Sequence, residues 1–192
     1  MNSTTPPAPT VVTIKFEELA QQTVGGITRI SGFVRARRFI PVIDELDLEA
    51  NPRAARVGRV TAAIIESIQK TPREFPFKTK GILLGATQFE ILDRDRVKSI
   101  FAERDKEGIL DGGHNTMAIG LHILRTAGVP EAKVKKARDW ASFRALWNAE
   151  RETVRQYRGE LSSFGHVEPA DDDDLAFLIP VELIGPSDPD DL

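Results

Sequence analysis

The stretch EGILDGGHNT (Glu107–Thr116) runs from a short apolar pair into two adjacent glycines and then into a helical pattern. Ile109 and Leu110 have the character of a strand. From Thr116 to Ala127 the apolar residues take helical spacing, with Met117, Leu121 and Leu124 on one flank and Ile119 and Ile123 beside it. A strand that feeds a Gly-Gly turn and then a helix is an element that presents side chains. Glycines permit left-handed backbone angles and close approach of a ligand, and the first helical N–H groups attract anions. The alternative is that Asp111 or Asn115 caps the helix and the glycines only make the turn.

The polar residues of this turn are the candidate site. Asp111 suits a metal ligand, a hydroxyl-orienting group or a base, His114 an acid/base or phosphate donor, and Asn115 a partner for a base edge or carbonyl. Gly112 and Gly113 would let the ligand approach. No Gly-Lys-Ser/Thr follows, so this is not a Walker A loop, and the three-glycine dinucleotide pattern is missing too.

Basic residues form a second constellation. Arg35, Arg37 and Arg38, and Arg53, Arg56 and Arg59, are candidate anion contacts for the turn or else a solvated charged face, and Lys78 and Lys80 are open to the same two readings. His122 lies eight residues beyond His114. That spacing turns it roughly 80° around a helix, so the two make no local metal pair. His122 and His166 are expected in ordinary surface or partly buried roles. Asp171 to Asp174 reads as a solvated loop, since consecutive residues do not all face one ion.

Around this element the pattern predicts an α+β protein, with a mixed, mostly antiparallel sheet and packed helices. Residues 1–10 read as a disordered tail, 11–184 as one domain and 185–192 as a flexible acidic C-terminus. VVTIKF (Val11–Phe16), Ile27–Phe33 and Arg35–Ile43 read as strand-like. Val60, Ile64 and Ile68, widened by Val57 and Ile65, predict a helix over Arg56–Thr71 that Pro72 closes. GILLGA, QFEIL and RVKSIFAE (Gly81–Glu103) read as a β-meander. Ala132–Leu161 reads as one long amphipathic helix with Trp140, Phe143, Leu146, Trp147 and Val154 facing a core. LAFLIPVELI (Leu175–Ile184) reads as a strand whose Pro180 suits an edge or a bulge.

Composition narrows the function classes. The 192 residues are 41% hydrophobic and 29% charged, ordinary for a globular chain, and the net charge of −3 argues against a strongly basic duplex-binding module. The absence of cysteine removes disulfides, Cys-ligated zinc and thiol nucleophiles. No stretch approaches the roughly 20 apolar residues of a membrane helix. A cytoplasmic location without membrane association is the resulting expectation.

The order of the segments NPR (Asn51–Arg53), IIESIQKTPREF, FKTKGILLGA and EGILDGGHNTMAI resembles the conserved half of the AIPR family, the abortive-infection phage-resistance proteins. The resemblance covers about residues 50–127, with LAFLIPVELI a weaker match. The turn is also similar to the D-G-Q-H-R element of DNA-modification-associated and ParB-like proteins, but Asn115 stands where that element has arginine. The resemblance implies antiviral defence through nucleic-acid or nucleotide recognition, and it carries over Asp111, Gly112, Gly113 and His114 of the DGGH motif. Proteins of the family usually continue past the last strand, which implies a protein partner supplying such a region if this chain is a short form.

Two other readings compete. One is a metal-dependent phosphodiesterase or nuclease, with Mg2+ held by Asp111, acid/base work by His114, and Glu103, Asp105 or Glu107 joining. The other is a non-catalytic protein-interaction module docking through the Trp140–Tyr157 helix.

Overall fold

A computed structural model of the chain describes residues 8–51, 53–163 and 174–188. Its strands fall into two sheets instead of the single sheet expected, while the α+β class holds. β1 (Thr10–Lys15), β6 (Arg96–Phe101) and β5 (Gln88–Leu92) form an antiparallel sheet in the order β1-β6-β5. β2 (Leu19–Val24), β3 (Ile27–Arg35), β8 (Leu178–Pro186), β4 (Ile82–Gly85) and β7 (Gly108–Asp111) form the second, in that order. In the second sheet β4 runs parallel to β8, and the other pairs are antiparallel.

The meander is therefore corrected. β5 and β6 make a hairpin around Asp93–Asp95, with Arg94 and Asp95 at positive φ, but β4 leaves them to lie between β8 and β7. Alternation of apolar residues marks a strand without naming its neighbour, so the register partner 99 residues away in β8 was not predictable from it.

Arg35–Ile43 is also corrected, from strand to helix. α1 (Ala36–Glu45) buries Ala36, Phe39, Ile40, Val42 and Ile43, and four of these sit at i, i+3, i+4 and i+7, the helical period. Pro41 inside it and the β-branched residues disguised that period. α2 (Arg59–Lys70) begins later than expected, and of its supposed core stripe only Ile68 is buried. Val60 is 60% and Val57 39% exposed. A 3-10 turn at Pro72–Glu74 and the short α3 (Phe75–Lys78) follow.

α4 (Gly113–Thr126) is buried along most of its length, with Met117, Ile119, Ile123 and Leu124 fully enclosed. The long helix expected over 132–161 is three: α5 (Glu131–Val134), α6 (Trp140–Ala149) and α7 (Arg151–Ser163). The break comes from a capping box, in which Asp139 accepts from the Ser142 amide at 2.8 Å and Ser142 Oγ accepts from the Asp139 amide.

β8 is not an edge strand; it is paired on both sides. Its pairing with β4 begins only at Val181, so Pro180, opposite Phe33, has a partner on the β3 side alone. β8 also continues to Pro186, so Gly185 and Pro186 belong to the sheet rather than to a tail, and β1 takes in Thr10. The expectations for residues 1–7, 166, 171–173 and 189–192 lie outside the described residues. The buried apolar side chains form one cluster, reaching from Val12 and Ile14 of β1 through α1 and α4 to Phe143 and Trp147 of α6. Among the described residues no helix is long and apolar enough to cross a membrane.

Candidate functional site

β7 ends at Asp111, paired with Leu83 of β4, and the chain turns through Gly112 at φ 87° into α4. A Cβ on Gly112 would stand 2.6 Å from the Gly81 carbonyl oxygen and 2.9 Å from Ile82 Cα, so backbone packing as well as conformation demands glycine there. Gly113 has another reason. It is the first helical residue, and a Cβ on it would meet Leu48 Cδ1 at 2.9 Å.

Neither proposed cap acts as one. The helix N-cap is Gly112, which makes no side-chain cap hydrogen bond. Asp111 Oδ1 accepts instead from the adjacent Gly112 amide at 2.8 Å. Asn115 points back to β4, its Nδ2 donating to the Gly81 carbonyl at 2.8 Å, which ties the start of one strand to the turn at the end of another. Asn115 thus has a positioning role that its place in the motif did not reveal.

The segment between α1 and α2 closes over the turn. Leu48 and Ala55 pack on Gly113, and the Arg56 amide donates a long hydrogen bond, 3.5 Å, to His114 Nε2. Asn51 Oδ1 accepts from the Arg53 amide at 2.9 Å, a local turn that sets the direction of Arg53. The exposed Arg53 guanidinium then reaches within 3.8 Å of Asp111 Oδ1. Asn51 organises this loop.

The other basic candidates divide. Arg35 and Arg38 both engage Glu17 at 3.1 Å, so they serve the β1–α1 region. Lys78 is held by Thr71 and Glu74. Lys80 is exposed and precedes Gly81, the residue whose carbonyl meets the turn. Arg56 and Arg59 are exposed, and the backbone of Arg56 also bridges to Asp139.

Two of the three carboxylates offered as further metal ligands, Glu103 and Glu107, are occupied elsewhere. Glu103 pairs with Lys106 at 2.5 Å. Glu107 is buried, its carboxylate accepting from the amides of Thr87 at 2.5 Å, Glu103 at 2.6 Å and Ala102. Burial opposes its charge, but these donors outweigh burial and hold its carboxyl below the usual range. Among the described residues no group of three or more His, Asp or Glu is placed to hold a metal ion.

A cleft of about 530 Å³ lies between the 47–56 loop, whose Leu48 and Ala55 pack on the turn, and the start of α6. Arg53, Arg56 and Asn51 line it together with Trp140. Trp140, expected in the core, is only partly buried. Its indole N–H donates to Asp47 and its amide donates to the Ala55 carbonyl at 3.1 Å. Its partners lie about 85 to 93 residues away in sequence, so no local pattern marked it.

These residues define an α+β protein in which a strand, a left-handed glycine and a helix start present Asp111 and His114 beneath an arginine-bearing loop. Comparison of the chain with protein-family models, with curated proteins and with solved structures gives no match.

Proposed function

We propose that the chain is an AIPR-like phage-defence protein of the cytoplasm that recognises nucleic acid or a nucleotide at the DGGHN turn. The observation that carries the reading is the approach of Arg53 to a helix start whose N-cap, Gly112, makes no side-chain cap hydrogen bond. The amide end of a helix carries partial positive charge, and a guanidinium beside it adds a planar fork of donors suited to phosphate oxygens. The Asp111 carboxylate lies 3.8 Å from the Arg53 guanidinium at the turn, and an incoming phosphate would compete with it for that guanidinium. His114 adds an imidazole from the first turn of α4. The resemblance in motif order from Asn51 to Ala127 supplies the defence context.

Isothermal titration with mononucleotides and with short DNA and RNA strands tests this reading. Wild-type protein is expected to bind, and Arg53→Ala and His114→Ala to weaken binding by about tenfold each, the scale of one charge-assisted hydrogen bond. Binding should also fall with added salt. Wild-type protein that binds none of these probes at low salt would sink the proposal.

A further inference from the structure

Resting on the anion-site reading of the turn, we infer that the neighbouring cleft takes a nucleobase against Trp140, so that the ligand is a nucleotide whose base is unstacked. The cleft shares Arg53 and Arg56 with the loop that covers the turn, and Trp140 lies on its α6 side. One ligand with a charged end and a flat apolar ring would therefore meet both.

The wall is held in place before any ligand arrives. Trp140 is fixed through its indole N–H to Asp47, through its amide to Ala55, and by the Phe143 ring at 5.2 Å. The Arg144 guanidinium lies over the indole with its central carbon 5.9 Å from the ring centroid. A rigid, partly exposed indole loses little freedom when a base packs on it, which is why such rings serve as stacking platforms. The small side chains of Ala54, Ala55 and Ala141 leave the cleft about 530 Å³ of room and with Leu48 give it an apolar part that suits a ring face, while Asp47, Glu49 and Asp139 also line it and are acceptors for the amino edge of a base.

The same geometry selects against duplex. A paired base has both faces covered by its neighbours and cannot enter a side cleft without being extruded, whereas a free nucleotide or an unpaired position in a strand meets no such cost. The net charge of −3 agrees with a ligand held at one compact anion site rather than along a polyanion.

Tryptophan fluorescence provides the test. Trp147 is fully buried and Trp140 is partly exposed, so quenching by a ligand in the cleft belongs to Trp140. The probes are the four ribonucleoside monophosphates, an unstructured single strand, a hairpin duplex and ribose 5-phosphate. Monophosphates or the single strand are expected to quench and to bind about tenfold more tightly than ribose 5-phosphate. A monophosphate without strand binding identifies a free nucleotide, and strand preference identifies an unpaired one; both support the inference. Trp140→Leu should lose the same factor, with circular dichroism checking its fold.

Ribose 5-phosphate binding as tightly as the monophosphates, or nucleotide binding without quenching, overturns the base cleft and leaves the anion site standing. Absence of binding by every probe overturns both.

Discussion

Gly112 and Gly128 both hold left-handed backbone angles, φ 87° and 88°, yet they are not equivalent. A Cβ on Gly128 would meet nothing within 4 Å, while one on Gly112 would press on the backbone of Gly81 and Ile82. Gly128→Ala therefore carries only the conformational cost of roughly 1–2 kcal/mol. Gly112→Ala should cost clearly more, because the obstacle is main chain and does not rotate away. Urea denaturation of the two variants reads the difference directly, and equal losses would mean that the turn is not packed against β4 as described. The sequence made the glycine pair visible and predicted a strand-to-helix turn, but it treated both glycines as turn residues. Only one of them bends the chain. The other admits Leu48, a residue 65 positions earlier, and no local pattern carries that contact.

Elements were legible where their partner did not matter. α4 and the β5–β6 hairpin follow from apolar period and turn chemistry. α1 was misread because its helical period is short and interrupted by Pro41, and because its end is completed by distant arginines. Arg144 donates to the Ile43 and Asp44 carbonyls, and Arg151 donates to the Asp44 carbonyl at 2.7 Å and its carboxylate at 3.0 Å. A helix C-terminus leaves carbonyls unpaired and carries partial negative charge, so guanidinium groups there satisfy both needs. Trp147 adds its indole N–H to Asp44 at 2.8 Å. Arg144→Ala should lose about 1.5–3 kcal/mol, the range for hydrogen bonds involving a charged partner. Arg144→Lys should recover only part of this, since one ammonium does not reproduce a two-pronged fork. Thermal unfolding of the pair checks it, and full recovery by lysine would assign the effect to charge alone.

Two buried ionisable residues join different elements of the molecule, and both make the whole fold sensitive to acid. Glu107 gathers amides from the crossing between the two sheets at Thr87 and from the chain after β6 at Ala102 and Glu103. His122 sits on α4 against Phe177, with Nε2 3.4 Å from the Asp174 carbonyl, where the chain enters β8. Burial pushes the His122 imidazole below its ordinary value near 6.5 and nearby Arg125 acts in the same direction, while Asp174 opposes them. A group whose folded pKa is depressed stabilises the fold fully above its unfolded pKa and loses that contribution as pH falls toward the folded value. Unfolding free energy should therefore decline first below pH 6.5 through His122. It should decline again below pH 4.5 as the Glu107 carboxylate is protonated. His122→Phe should remove the first decline while keeping a ring against Phe177. Glu107→Gln should remove the second, starting from a lower stability at neutral pH because an amide N–H2 would oppose amide donors. Urea denaturation across this range, followed by circular dichroism, separates the two steps. A wild-type profile that is flat between neutrality and pH 4.5, or a first decline that survives His122→Phe, would show that His122 does not couple α4 to the proton, and a second decline that survives Glu107→Gln would show the same of Glu107.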